Sequence, residues 1–334
     1  MELDLPFIWG ILICTAIYLY VVLDGFDLGV GMLFPFARNK AERDVMMNSI
    51  APVWDGNETW LVLGGGGLFA VFPLAYSVLL TAFYVPLTIM LLALVFRGVA
   101  FEFRYRTKKS RHIWNGAFTG GSLVATFCQG IVLGAFIQGV AIEGRSYAGG
   151  WFDWLTPFSI FCGGAMVLGY SLLGATWLIW RTEGELQRRM ELLAPKLAMG
   201  VFAAIGIVSI WTPLSNEAIA ERWFAGNNFL YLSALPIITA LSGLLLLYAL
   251  KKKREVLPFV LSLLIFLFSF IGLGVSQYPY IIPREVTLWE AAGPDSALGF
   301  LLIGASVLLP VILGYTAWSY WVFRGKVKLG EDLH

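Results

Sequence analysis

The feature that most constrains this chain is the spacing of its charges. They interrupt long apolar runs at intervals of about one membrane thickness. A helix crossing a bilayer needs roughly 20 mostly apolar residues. Nine runs meet that need, at about 7–33, 59–77, 79–101, 117–141, 156–180, 197–214, 229–250, 256–276 and 298–323. Residues 73–84 carry no charge, so the division between the second and third runs, a tight turn near Pro73, is inferred from length and not from polarity. Only 13% of the residues are charged and 58% are hydrophobic. A soluble globular chain carries about 25% charge. The deficit excludes a water-facing surface all round, whereas lipid would cover the sides of a bundle of helices. The sequence therefore predicts an all-α integral membrane protein. Residues 1–334 form one transmembrane domain of about nine helices, two four-helix bundles plus one extra helix.

The loops alternate in charge. One set holds Arg38, Lys40 and Arg43, then Arg104, Arg106, Lys108, Lys109 and Arg111. It continues with Arg181, Arg188, Arg189 and Lys196, then Lys251, Lys252, Lys253 and Arg254, and ends with Arg324, Lys326 and Lys328. The other set holds only Arg145, Arg222 and Arg284. The positive-inside rule puts the rich set in the cytoplasm, with the N-terminus periplasmic and the C-terminus cytoplasmic. Tryptophans such as Trp9, Trp54, Trp151, Trp180 and Trp321 fall near run ends, as an aromatic belt requires. The start, Met-Glu-Leu-Asp, lacks the basic segment of a signal peptide, so the first run reads as a retained span. Nothing points to nucleic acid.

Ionisable groups at membrane depth are costly and are functional candidates. Asp24 and Asp27, in the segment Leu23–Gly31, are three apart and share a helix face. Two such carboxylates in low dielectric resist ionising together, which suits a proton relay. The glycines around them admit a close backbone or a small ligand. The alternative is that both aspartates cap or pair with Arg38 or Arg43 at the interface. Asp55 and Glu58, in Trp54-Asp-Gly-Asn-Glu-Thr-Trp60, follow Pro52, which argues against helix before them. Asp55 or Asn57 is expected as an N-cap, with Glu58 in the first turn. The two acids could also line the mouth of a polar path. Arg97 is expected to snorkel toward the inner interface, near Glu102, or else to neutralise Asp24 or Asp27. Gly64–Gly67 reads as a close-packing surface. Gln129 and Gln138 are expected to bond to neighbouring helices. Cys14, Cys128 and Cys162 read as small buried hydrophobes. The only histidines, His112 and His334, lie outside the runs. Haem iron and copper at membrane depth usually need histidine, so no metal is expected here and a redox centre would sit in another chain.

Three segments carry a family resemblance. They are Asp24–Gly31, Asn48–Trp60, and Ser276–Pro283 with Trp289-Glu-Ala-Ala292. They resemble subunit II of cytochrome bd-type quinol oxidases, and the short chain is similar to the cyanide-insensitive branch. The resemblance implies a respiratory oxidase of the bacterial inner membrane that oxidises ubiquinol and reduces O₂ to water. It implies haems b and d, or b alone, in a partner subunit I. It also leaves room for a small single-span accessory subunit, membrane lipids and a structural ubiquinone. Subunit II is then expected to support assembly and to supply cytoplasmic protons. By motif, Asp24, Asp27 and Asp55 match acidic positions of that path and Trp54 the tryptophan beside it. No quinone contact is carried over. Two rivals are a secondary transporter, disfavoured because matched halves are not visible, and a passive scaffold without a proton path.

Overall fold

The computed structural model describes residues 3–107 and 109–327. Lys108, Lys328 and His334 lie outside them. The chain runs through α1 (Leu5–Leu33), α2 (Lys40–Asn48), α3 (Trp54–Val71), α4 (Pro73–Ala82), α5 (Tyr84–Arg106) and α6 (Arg111–Gln138). A two-stranded hairpin, β1 (Ile142–Glu143) with β2 (Ser146–Tyr147), leads to α7 (Pro157–Arg181) and α8 (Gly184–Ser215). Two short helices, α9 (Glu217–Phe224) and α10 (Asn228–Leu232), precede α11 (Ala234–Lys251) and α12 (Leu257–Gln277). A second hairpin, β3 (Tyr280–Ile282) with β4 (Val286–Thr287), then α13 (Leu288–Ala291), precedes α14 (Asp295–Val322).

Among the described residues, eight helical stretches are long and apolar enough to cross a membrane: α1, α5, α6, α7, α8, α10 with α11, α12 and α14. The expected second span, 59–77, is not among them. The chain does break beside Pro73, because the residue before a proline is pushed out of helical geometry, and Phe72 sits at φ −123°, ψ 65°. Beyond the break the chain forms a separate ten-residue helix, α4, so α5 starts at Tyr84 and not at 79. α3 is also less apolar than a span because its first turns are Asp55-Gly-Asn-Glu58.

Hydrogen bonds gather the loops into two ends. At one end, Arg189 Nη1 donates to Phe36 O at 2.6 Å, Arg104 pairs with Asp44 at 2.7 Å, and Gln187 and Lys326 both donate to Glu255. Arg181 donates to Phe323 O there. At the other end, Trp9 donates to Leu298 O, Trp289 to Asp4, and Arg284 to Ile137 O. The basic-rich loops thus converge on one end. α3 starts at that end, where Trp54 stacks on Phe101, and finishes at the opposite end, where Gly293 N donates to Val71 O.

The core is centred on α1, which packs against α3, α6 and α7; α5 packs on α6, α8 on α7 and α11 on α12. α1 and α7 cross at backbone contact. A Cβ on Gly29 would lie on the Tyr170 carbonyl and 2.8 Å from Gly174 N, so only glycines fit there. The close approach expected of this segment is therefore to another backbone. Gly64 and Gly67 face Ile17 and Ile13 of α1, whereas Gly65 and Gly66 meet nothing within 4 Å. Cys128 and Cys162 are buried, but Cys14 is exposed on the outer face of α1.

Candidate functional site

α1 turns its Asp24–Leu33 segment entirely inward. Asp24 and Asp27, one turn apart, both reach the same side chain of α5. Arg97 Nη1 lies 2.9 Å from Asp24 Oδ1, and Arg97 Nη2 lies 3.9 Å from Asp27 Oδ2. The same Nη1 lies 2.6 Å from Glu58 Oε1, in the second turn of α3. Arg97, Asp24 and Asp27 have no exposed side-chain surface, while 27% of the Glu58 side chain is exposed. Two helices, α1 and α3, therefore deliver three carboxylates to one guanidinium on α5. Full ionisation would leave two negative charges uncompensated away from water, a costly state.

Arg97 does not snorkel. Its guanidinium is held from below by Trp54, 5.7 Å from the ring centroid, and by Phe101 at 6.0 Å. The rings of Trp54 and Phe101 are stacked 4.8 Å apart at 6°, so cation and platform form one packed unit. The aspartates do not pair with Arg38 or Arg43. Arg38 instead meets Glu185, and Arg43 reaches the Ala37 carbonyl.

Pro52 does precede a helix, as expected, but no side chain caps α3; Val53 is its N-cap residue. Asn57 turns inward and is buried. Its Nδ2 donates to Asp27 Oδ2 at 2.7 Å and faces Leu23 O at 3.4 Å, and its Oδ1 accepts from the Tyr320 hydroxyl at 2.9 Å. Asp55 is exposed in the first turn of α3, one turn before Glu58. Glu102 is not brought to the cluster; it is exposed and pairs with Arg106 at 3.7 Å.

On the far side of Asp24 a second polar chain begins. Gln129 of α6 donates to the Tyr20 hydroxyl at 2.8 Å and accepts from Tyr170 of α7 at 2.8 Å. Tyr20 stands one turn before Asp24 on α1. Gln138 accepts from Thr156 at 2.6 Å, so both glutamines do bond across helices. Tyr20, Tyr170 and Tyr320 are invisible to an ion-based reading of the sequence, because a tyrosine at membrane depth looks apolar. Only their hydroxyls at membrane depth, unpaired by any local motif, could flag them.

The chemistry available is proton storage and exchange among carboxylates. Among the described residues, no His, Cys, Asp and Glu group has the spacing of a metal site, and His112 is exposed in the first turn of α6.

Comparison with known proteins gives a consistent answer. The family model for cytochrome bd terminal oxidase subunit II matches residues 5–323. The chain is 32% identical to the cytochrome bd-I ubiquinol oxidase subunit 2 of Escherichia coli (strain K12), covering 98% of this chain and 96% of that one. It is 30% identical to the cytochrome bd ubiquinol oxidase subunit 2 of Bacillus subtilis (strain 168), covering 98% of each. The fold is similar to a chain of the bd oxidase structure from Geobacillus thermodenitrificans, with a TM-score of 0.78 and 18% identity over 96% of this chain and 99% of that one. The chain belongs to the family of cytochrome bd terminal oxidase subunit II.

Proposed function

We propose that this chain supplies cytoplasmic protons to the oxygen-reducing centre of a quinol oxidase whose haems are held by its partner, subunit I. It is a multi-pass inner-membrane subunit of an oxidoreductase complex. On this reading quinol releases its protons outside, oxygen reduction consumes protons drawn from inside, and charge separates without pumping.

The observation that carries the reading is the sharing of one buried guanidinium by Asp24, Asp27 and Glu58. A structural ion pair would need one carboxylate. Three give a site whose charge balance changes with proton occupancy while Arg97 stays bound. Glu58 is the member that reaches the surface, with exposed Asp55 one turn before it. We therefore order the relay as Asp55, then Glu58, then Asp24 and Asp27, with Trp54 and Arg97 holding the geometry.

The membrane arrangement we adopt has nine crossings, with α3 as the ninth. Its members are α1, α3, α5 and α6, then α7, α8, α11 and α12, with α14 beside them. The convergence of basic loops on one end supports a cytoplasmic assignment for that end. The haems are assigned to subunit I because the described residues offer haem iron no histidine at depth. A structural ubiquinone, bound lipids and a single-span accessory subunit remain compatible with the exposed apolar faces.

The test is quinol oxidase turnover of the Asp55→Asn variant in assembled complex, with haem content measured in the same sample. Reduced turnover at intact haem content is expected. Unchanged turnover would remove Asp55 from the relay.

A further inference from the structure

Asn57 and Tyr320 are not used by the relay, yet they are wired to it. Their hydrogen bonds also have a fixed direction. Leu23 O is a backbone carbonyl and can only accept, so the Asn57 atom facing it is the amide nitrogen. That same nitrogen donates to Asp27 Oδ2. Asn57 Oδ1 then faces Tyr320, and the phenol must donate. The direction runs from Tyr320 through Asn57 to Asp27 with no alternative at either end.

Asp27 is consequently one-sided. Oδ2 receives the Asn57 amide at 2.7 Å and faces Arg97 Nη2 at 3.9 Å, both obligate donors. A proton on Oδ2 would point at a donor. Oδ1 has no hydrogen-bond partner among the described residues.

We propose that Tyr320 is a positioning residue for Asp27: acting through the Asn57 amide, it pins Oδ2 as an acceptor, so that Asp27 takes up and releases its proton at Oδ1. This deepens the proton-supply reading and rests on it for its purpose. Tyr320 is suited to the role by its location. It lies near the C-terminal end of α14, a helix whose other large side chains, such as Phe300, Val307, Tyr315 and Trp318, are exposed. Its ring is set edge-on to Phe26 and Trp177, with centroids at 6.4 and 6.3 Å, which aims the hydroxyl at Asn57. Anything that shifts α14 along its axis would therefore reach Asp27 through two hydrogen bonds.

The test is infrared difference spectroscopy of the assembled oxidase, with the Asp27 carboxyl bands assigned by their loss in Asp27→Asn. Tyr320→Phe keeps the ring and removes only the hydroxyl. It is expected to shift or split the Asp27 bands, because the Asn57 amide is no longer held in one orientation. Tyr315→Phe, an exposed tyrosine on the same helix, is expected to leave them in place. Asp27 bands identical in Tyr320→Phe and the parent protein would overturn the proposal. If Tyr320→Phe does not assemble, Asn57→Ala removes the donor to Oδ2 directly, and unmoved bands there would overturn it equally. The relay reading fails separately: normal turnover in Asp27→Asn would reject it whatever the bands of Tyr320→Phe do.

Discussion

Arg97 of α5 and Asp24 of α1 are joined at 2.9 Å with neither side chain exposed. The bond locks two helices together where water cannot compensate either charge. Removing one partner of such a pair costs about 3–5 kcal/mol, because the other is left charged and buried. Arg97 is shared by three carboxylates, so Arg97→Gln is expected at or above that range. The measure is the thermal midpoint and yield of the assembled complex. Asp24→Asn should cost less, since Asp27 and Glu58 remain to balance the cation. Equal losses in the two variants would contradict the shared-cation geometry.

A second expectation separates structure from transport. Replacing Asp24 and Arg97 together by Leu and Met removes one buried pair while filling its space, and leaves Asp27 and Glu58 without their cation. Buried pairs exchanged for packed apolar groups are often neutral for stability. The double variant is therefore expected to recover part of the stability lost in Arg97→Gln, because two stranded carboxylates remain in place of three, yet to keep reduced quinol oxidase turnover. Recovery of both together would mark the cluster as structural only.

The α1 and α7 backbones meet at Gly29 and Gly174. Gly174→Val would drive side-chain atoms into the backbone of α1. Overpacking of a tight contact costs about 1–3 kcal/mol, and more where backbone is the obstacle. A lower thermal midpoint is expected, whereas Gly206→Ala, with nothing within 4 Å, should be neutral or slightly stabilising.

α2 is held to the bundle by Glu42, which accepts from Arg189 and from the Arg38 backbone N–H. Burial alone would raise this carboxyl. The hydrogen bonds from Arg189 and Arg38 outweigh it and hold Glu42 below the usual carboxylate range. A lowered folded value means the bond contributes fully above the ordinary glutamate pKa of about 4.3 and is lost as pH falls through the folded value. Hydrogen exchange of residues 40–48 should thus be slow at pH 7 and accelerate only in strong acid, after correction for intrinsic rates. Glu42→Gln should exchange faster already at pH 7.

How much of this can be read from the sequence depends on whether the signal is local. Charge alternation is written along the chain, so the grouping of loops into two ends is legible before any helix is placed. The carboxylates are legible too, since an aspartate such as Asp24 within an apolar run stands out. The break at Phe72 is half legible: Pro73 marks it, but apolar residues on both sides hide the extra helix α4. Adjacency cannot be read. The sequence sends Arg97 toward the interface because nothing along α5 shows that α1 and α3 place acids beside it. It makes Asn57 a candidate cap of α3 because its partner Tyr320 lies 263 positions away. Glu102 is grouped with Arg97 by proximity in sequence, but five residues of helix turn it to the outside.

The central claim is that protons reach the oxygen-reducing centre through this carboxylate cluster, and its one partly exposed member buried against Arg97 is Glu58. The direct measurement is time-resolved proton uptake from the cytoplasmic side by assembled Glu58→Gln complex after its fully reduced form is mixed with O₂. Loss of a positioned proton-transfer group should slow uptake on the order of a hundredfold, with haem content and the first electron-transfer step unchanged. Uptake at the parent rate in that variant would contradict entry through Glu58, and uptake at the parent rate in Asp24→Asn and Asp27→Asn as well would contradict the path altogether.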